Sequence, residues 1–199
     1  HHSDPAKTYA YTEKAIDKYS PEIIVVEGLE AKAGKNPKHW ISRHIGKSKE
    51  EIWKDPSLGS GTELLATAHG ISIVGGEPSI EEEMKSQFLL KKGFDHEDIR
   101  NVQILQRIPY RRDKMNMSDP ELFFDYALKL YHVKESKSDF KPKFFKWYKK
   151  RAHAEFDYSK ITKASTDVNC DSHDSFLQRA ACAINIHRDR ALVKQVETL

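Results

Sequence analysis

The sequence predicts an α/β fold in which a small, mostly parallel sheet is flanked by helices and carries a helical insertion. Two short apolar runs, residues 23–26 and 71–74, each lead into a glutamate beside glycine, and such runs are typical of buried strands. Helical patterns precede both runs, and strands that alternate with helices favour parallel pairing. A helical pattern then fills residues 95–156. We therefore expect a single α/β domain over residues 1–199 with a helical excursion.

Length and composition allow one compact domain and argue against several classes of protein. The chain has 199 residues, a formal net charge of +3 and no apolar run long enough to cross a bilayer. Its mixed charges argue against a dedicated nucleic-acid binder, which usually concentrates basic residues. No signal peptide is recognisable, and Cys170 and Cys182 suggest neither a zinc knuckle nor a disulfide framework. We therefore expect two free thiols and favour a cytoplasmic location; the oligomeric state stays unknown.

The first predicted helix begins at Pro5 and runs to about residue 18. A serine or an aspartate just before Pro5 can cap it, while the proline takes the first helical position, where its missing N–H costs nothing. Ile16 and tyrosines such as Tyr19 supply a buried side. Pro21 ends the helix before the first strand.

A polar insertion and a second helix separate the two predicted strands. Residues 30–60 either cover the sheet as a lid or lie in solvent as a loop. Residues 62–69 are predicted to form a helix that a glycine ends. After the second strand, Ser79 and Glu82 fit a capping box for a helix that runs to about residue 92.

The helical excursion contains three predicted segments. Asp95 caps a helix that Pro109 stops, and Asp119 with Pro120 starts the next one. The third segment, residues 140–156, interleaves aromatic residues with lysines. Such interleaving occurs in proteins that bind single-stranded nucleic acid or a membrane surface, but we favour aromatic rings in the core with lysine stems over its rim.

The last predicted helix, capped by Asp171 or Ser172, runs to about residue 197 and carries a charged run on an apolar stripe. Arg188 and Asp189 in this run differ by about 100° around the helix axis, so they cannot both face the core. The stripe itself is expected to extend to Val196. Arg188 either points to the sheet edge, where its guanidinium can stabilise an oxyanion, or forms salt bridges on the outer side.

Two glutamates are the candidate site residues at the sheet. Glu27 and Glu77 follow the two predicted strands, and the carboxyl ends of parallel strands meet at one edge, outside which ligands usually bind. A carboxylate there acts as a general base, as a metal ligand, or as an acceptor for backbone N–H groups. The alternative for both residues is a structural role, in which they cap the next helix or pair with an arginine.

The order of these parts resembles the TraB/Tiki family, which belongs to the superfamily of erythromycin esterases and ChaN-like haem-uptake proteins. The similar motifs are His1-His2, which matches the end of the family's first Gly-x-x-His, Glu27-Gly28 in its glutamate strand, and Arg188-Asp189-Arg190 in its helix motif. The glycine of the first motif and the second Gly-x-x-His are absent. Both termini break off where the family places a strand, so we expect a chain truncated at both ends.

The resemblance implies a metal-dependent hydrolase that cleaves peptide or ester bonds with activated water. It implies His1 or His2 as metal ligand or base, and Glu27 in the same roles. It further implies Arg188 as an electrostatic stabiliser, whereas Glu77 is added from strand geometry alone. The expected metal is manganese, cobalt or zinc, and the expected substrate is a small molecule or a peptide. Otherwise the two histidines are the remnant of a purification tag.

Other functions remain open, and the sequence does not decide whether the chain is an enzyme. On the same scaffold it can be a non-catalytic protein that binds a small ligand, haem or a partner protein through residues 95–156. A nucleic-acid module that uses residues 140–151 is the least favoured reading and predicts steeply salt-dependent binding. A Gly-x-x-His within about twenty residues after Leu199 would favour the hydrolase.

Overall fold

A computed structural model describes residues 5–36, 51, 66, 68–162, 170 and 175–199. These residues form a mixed α/β fold with a small parallel sheet flanked by helices, which confirms the predicted fold class. They divide into two compact units: a sheet unit, His1–Ser79 with Arg188–Leu199, and a helical unit, Ile80–His187. Each unit is described by itself, and the expectation of a single domain stays a prediction.

The sheet unit opens with helix α1, Pro5–Tyr19, close to the predicted bounds. Ile16 is buried, as expected. Tyr19 was expected to be buried too, but it is 69% exposed, and the Lys18 ammonium lies 4.7 Å from its ring centroid. The helix ends there because Ser20 takes the left-handed conformation that commonly follows a helix, and its N–H donates to the Ile16 carbonyl.

Two strands, β1, Ile23–Glu30, and β2, Ser72–Glu77, pair in parallel. The sequence predicts that β1 stops at residue 26, and this boundary is wrong. Leu29 is 2% exposed and packs in the same core as Val26, so the apolar pattern carries the strand past the glycine. A short 3-10 helix, Ala31–Ala33, follows β1.

The pairing of the two strands is irregular near their carboxyl ends. Val26 pairs with Gly75, whereas the next recorded pair joins Glu30 to Glu77. More residues of β1 than of β2 lie between those pairs, so β1 bulges away from the ladder. Gly75 lies on β2, opposite this bulge. A Cβ on Gly75 would overlap the backbone carbonyl oxygens of Leu29 and Glu30.

Both faces of the sheet are covered. On one face, Val26, Leu29 and Ile73 form a small core with Ala66, which lies in the predicted second helix. Successive residues of a strand face opposite sides, so Gly76 faces away from that core. A Cβ on Gly76 would overlap the side chain of Leu192, which shows that the last helix packs directly on β2.

Asn36 closes one edge of β2. Its side-chain oxygen accepts from the Ile73 N–H at 2.8 Å, and its own N–H donates to the Ile73 carbonyl at 2.9 Å. The neighbouring Ser72 N–H donates to Glu22 at the start of β1. Backbone groups of alternate strand residues point to opposite edges, so Asn36 covers the edge that faces away from β1.

The helical unit is built from α-helices and one short 3-10 helix. Their bounds are α2, Ile80–Met84; α3, Gln87–Lys91; α4, His96–Lys114; α5, Pro120–Leu130; α6, Lys137–Ala152; and a 3-10 helix, Tyr158–Lys160. The final helix α7, Phe176–Glu197, contributes its residues up to His187. Among the described residues, no helix combines the length and the apolar character needed to cross a membrane.

The single helix predicted to reach residue 92 is in fact two helices. Helix α2 ends at Met84, and α3 begins after Ser86, whose hydroxyl accepts from the Leu89 N–H. Serine caps a helix well because its side-chain oxygen replaces a missing backbone acceptor. The cap therefore lets the chain turn between the two helices.

Helix α4 begins as predicted but continues past its expected end. Asp95 and Asp98 form a reciprocal capping box at its start. Pro109 was expected to stop the helix, yet it lies inside it, and residues 110–113 are helical as well. A proline removes only one helical N–H, and the fully buried Leu105 and Ile108 hold this part of the helix by packing.

The core of the helical unit is largely aromatic, as the interleaved pattern predicts. Phe124 and Phe144 are each at most 1% exposed, and their rings meet at 5.4 Å in an edge-on arrangement. Trp147 is buried on the same helix as Phe144. The expectation of core aromatics on α6 is therefore confirmed.

Cys170 and Cys182 form a disulfide, so the expectation of free thiols is wrong. Their Cα atoms are 5.4 Å apart, which suits a disulfide, and 12 positions separate them in the chain. Two cysteines alone do not have the number and spacing that indicate a disulfide framework, so the local sequence does not predict this bond. It depends on the fold bringing Cys170 beside Cys182 on α7.

Candidate functional site

The structure separates the two glutamates that the sequence predicts at one edge. Glu77 ends β2 and is partly buried, whereas Glu27 is exposed and lies inside β1 rather than at its end. The residue opposite Glu77 in the ladder is Glu30. Sequence reasoning missed Glu30 because it ended the strand too early. The available signal was Leu29, an apolar residue just beyond the glycine.

Glu30 and Glu77 place two carboxylates at the carboxyl end of the sheet. Like charges directly opposite each other on neighbouring strands are unfavourable. Lys32 lies 3.5 Å from the Glu30 carboxylate, but both side chains are exposed, and such surface pairs contribute little. A cation or a proton held between the carboxylates would relieve the repulsion.

Arg188 lies on the side of α7 that packs against the sheet. It precedes Leu192 by four residues, so the two side chains share one face of the helix. Leu192 packs on Gly76, which is next to Glu77. Arg188 is partly buried and Asp189 is exposed, which confirms that the two cannot both face the core. Val196, expected on the buried stripe, is 60% exposed, because α7 has few neighbours near its end.

The predicted metal ligands cannot be assembled from the described residues alone. His1 and His2 lie outside them, as do Asp171 and Ser172, the expected caps of α7. Within the described part of the chain, no three histidine, cysteine, aspartate or glutamate side chains group closely enough to hold a metal ion. Two carboxylates such as Glu30 and Glu77 would be one ligand short of the three that a catalytic zinc usually takes from the protein.

A cavity of about 350 Å³ lies at the opposite end of the strands. Glu22 and Ile71, which precede β1 and β2, line it together with Asp17 and His69. The His69 Nδ1 and Asp17 Oδ1 atoms are 3.9 Å apart, at the limit of an ion pair. Ligand sites of open α/β sheets lie beyond the carboxyl ends of the strands, so we do not assign the candidate site here.

Asp98 is the centre of a buried polar cluster in the helical unit. Its carboxylate is 1% exposed and accepts hydrogen bonds from Trp147 Nε1 at 2.8 Å, Arg151 Nε at 2.9 Å and Arg151 Nη2 at 2.8 Å. It also completes the capping box of α4. Since its oxygens are engaged by protein donors, we assign Asp98 a structural role.

Ser86 and His187 also meet in the helical unit, 101 positions apart in the chain. The Ser86 hydroxyl lies 3.4 Å from His187 Nδ1, and the imidazole stacks on Phe88 with 6.2 Å between centroids. The same hydroxyl already accepts from the Leu89 N–H as the cap of α3. Both contacts of this hydroxyl are 3.4 Å long, so they are weak, and we interpret Ser86 as the cap of α3 with His187 as a polar neighbour.

No model of a known protein family, no curated protein and no solved structure matches this chain. The resemblance to the TraB/Tiki family therefore remains a prediction based on short motifs. The class of protein that the fold defines is an α/β protein with acidic residues at the carboxyl edge of its parallel sheet. Its function has to be argued from the chemistry of that edge.

Proposed function

We propose that this chain is a hydrolase that activates water at the carboxyl edge of its sheet. The observation that supports the proposal is the pairing of Glu30 with Glu77 across the parallel ladder. Neighbouring strands lie about 5 Å apart, so both carboxylates can reach one water molecule or one cation.

The roles follow from where each side chain lies. Glu77, partly buried at the end of β2, acts as the general base that takes a proton from the attacking water. Glu30 orients the same water from the neighbouring strand. Arg188, on the helix face that packs on the sheet, stabilises the oxyanion that forms when water adds to a carbonyl carbon. Glu27 keeps only the role that the resemblance implies.

Metal dependence is a separate part of the proposal. Glu30 and Glu77 are oxygen ligands of the kind that manganese accepts, and a histidine from His1-His2 would suit cobalt or zinc. A bound divalent ion would lower the pKa of its water towards neutrality. We propose the general-base mechanism independently of a metal, and metal binding is tested on its own.

The substrate class that we propose is a peptide or an ester, as the resemblance implies. A non-catalytic ligand-binding protein is the second candidate, and a large groove in the helical unit favours it. The sequence favours a cytoplasmic location, but the disulfide between Cys170 and Cys182 weighs against it. Structural disulfides persist mainly in oxidising compartments, so we propose such a compartment instead.

Calorimetric titration with manganese, cobalt and zinc tests the metal site. We would compare the wild-type chain with Glu30→Gln, Glu77→Gln and Glu27→Gln, the last as a matched exposed control. Binding that is lost in the first two variants and kept in the third supports the edge formed by Glu30 and Glu77. Binding that is lost only in Glu27→Gln supports the family motif instead.

Hydrolysis of 4-nitrophenyl acetate and of fluorescein-labelled casein tests the reaction itself. We expect Glu77→Gln to lower the rate by about 100-fold or more, which is the usual contribution of a general base. Arg188→Met should lower kcat with little change in KM, because it acts only on the developing charge. A wild-type chain that neither binds metal nor hydrolyses either substrate would contradict the proposal.

A further inference from the structure

A groove of about 920 Å³ opens on the surface of the helical unit. It lies between the start of α5, the middle of α6 and the segment 154–160 that includes the 3-10 helix. Its aromatic lining consists of Phe145, Tyr148, Phe156 and Tyr158. This volume is within the range of small-molecule sites, which are typically lined by apolar and aromatic side chains with a few polar groups.

The aromatic floor of the groove is a packed block. Phe145 and Phe156 stack with 4.9 Å between ring centroids and 15° between planes. Tyr148 meets Phe156 edge-on at 5.4 Å. Both phenylalanines are only partly buried, so part of each ring remains open to the groove. The floor thus offers an apolar surface whose shape is already set by ring packing.

The wall formed by residues 154–160 is tied to the rest of the unit. Arg112 Nη1 donates to the carbonyl oxygens of Tyr158 and Ser159, each at 2.9 Å. The Tyr158 hydroxyl donates to the Met117 carbonyl at 2.7 Å. These bonds hold the 3-10 helix in place within the wall, so a ligand would meet a preformed surface there.

Tyr148 presents a polar group to the groove. In the part of the chain that the structure describes, its hydroxyl has no hydrogen-bond partner, although the residue is only 9% exposed and lines the groove. Burial raises the pKa of Tyr148, so the hydroxyl stays protonated and able to donate at neutral pH. The hydroxyl oxygen is not among the buried polar atoms that lack a partner, so it is open to the groove and can donate to a ligand oxygen there.

The charged groups at the rim are already paired with one another. Lys141 donates to the Glu121 carboxylate, and this bond lowers the pKa of Glu121 below its usual value. Lys160 lies 3.2 Å from Asp157. Glu155 accepts from Lys149. Because each of these charges has a neighbour of opposite sign, the rim offers little net attraction to a charged ligand, which favours a neutral one.

We propose that this groove binds a neutral aromatic small molecule whose ring lies on Phe145 and Phe156 and whose oxygen accepts a hydrogen bond from Tyr148. The proposal does not depend on hydrolysis at the sheet. It assigns a ligand class to the helical unit and uses no residue from the sheet edge. The apolar floor supplies the affinity, and the tyrosine hydroxyl selects for an oxygen-bearing ligand.

The probes are acetophenone, its oxygen-free analogue ethylbenzene, and benzoate as a charged analogue. Binding is measured by amide chemical-shift changes in the isotope-labelled full chain. We expect shifts centred on residues 154–160, with acetophenone binding more tightly than the other two probes. Shifts scattered over the surface, or a preference for benzoate, would overturn the proposal.

Two variants test the site directly. Tyr148→Phe keeps the ring and should weaken acetophenone about threefold to tenfold, as expected for one hydrogen bond, while ethylbenzene is unaffected. Ala154→Trp places an indole in the groove at an exposed position and should abolish binding. Ala15→Trp adds the same side chain at an exposed site on α1 and is the matched control. Equal binding by Ala154→Trp and Ala15→Trp would overturn the proposal.

Discussion

Glu30 lies directly opposite Glu77 in the ladder between β1 and β2, although the local sequence singles out Glu27. The bulge in β1 causes this arrangement, because it shifts the register between Val26 and Glu30. Two carboxylates therefore end neighbouring strands at the edge where open α/β sheets place their ligands. This relationship leads to the first of five predictions.

Glu30→Gln should stabilise the protein slightly at neutral pH. It removes the repulsion with Glu77, and the exposed pair with Lys32 that it also removes contributes little. We expect the free energy of unfolding in urea to rise by about 0.2–1 kcal/mol. Glu27→Gln, which has no carboxylate opposite it in the recorded register, should change stability less. A clear loss of stability in Glu30→Gln would show that the pair is not repulsive.

Gly75→Ala should be far more damaging than Gly76→Ala. A Cβ on Gly75 would overlap the backbone oxygens of Leu29 and Glu30, which cannot move without changing the bulge. A Cβ on Gly76 would meet the side chains of Leu192 and Val25, which can shift more readily than backbone atoms. We expect Gly76→Ala to cost about 1–3 kcal/mol and Gly75→Ala to cost more.

Urea denaturation followed by circular dichroism measures both effects. A second substitution, Leu192→Ala, should reduce part of the penalty of Gly76→Ala, because it removes the nearest overlapping side chain and leaves the smaller overlap with Val25. The same substitution should not rescue Gly75→Ala. Equal penalties for the two glycine variants, or equal rescue, would contradict the assigned contacts.

Asn36→Ala should expose one edge of β2. The substitution leaves the Ile73 N–H without its side-chain acceptor, and an unsatisfied buried donor costs about 1–3 kcal/mol. Asn36 also has a φ of 48°, a left-handed conformation that alanine adopts less readily. Hydrogen exchange at the Ile73 amide should accelerate. Asn36→Asp keeps an acceptor oxygen and should retain most of the protection; similar exchange in both variants would refute the role of the side chain.

Asp98→Ala should destabilise the helical unit strongly. The change leaves Trp147 Nε1 and the partly buried Arg151 guanidinium without their shared acceptor and breaks the capping box of α4. Removing one partner of a buried ion pair typically costs about 3–5 kcal/mol. Combining Asp98→Ala with Arg151→Met should recover part of this loss, as a double-mutant cycle would measure. Strictly additive losses would mean that the two residues are not coupled.

Reduction of the disulfide should lower stability without changing the fold. Cys170 and Cys182 close a short loop, and a bond of this kind contributes about 2–4 kcal/mol. Thermal unfolding with and without a reductant should show the difference, and Cys170→Ser should unfold like the reduced chain. Mass spectrometry after alkylation checks the bond itself, and two labelled thiols in the untreated protein would contradict it.

The parts of the fold that the sequence predicts correctly depend on local interactions. The starts of α4 and α5 follow from Asp95 and Asp119, whose side chains accept from backbone N–H groups two or three residues ahead. Aromatic residues at helical spacing likewise indicate the buried side of α6. Such signals lie within one or two turns of a helix, so they can be read from the sequence alone.

The end of α4 and the end of β1 could not be predicted because packing decides them. Pro109 weakens its helix locally, but buried neighbours such as Ile108 keep the helix intact. In the same way, the burial of Leu29 extends β1 past the glycine that precedes it. In both places, burial of apolar surface outweighs a local preference of the chain.

The amino-acid sequence by itself thus determined the α/β class, the starts of α1, α4 and α5, and the aromatic core, because short-range capping and periodicity are sufficient for these. Only the tertiary structure decided which carboxylate faces Glu77, that Cys170 bonds to Cys182, and that Asn36 closes β2. Each of these contacts joins residues that are not adjacent in the sequence. Strand register and packing select the partner of each of these residues, and a local sequence pattern specifies neither of them.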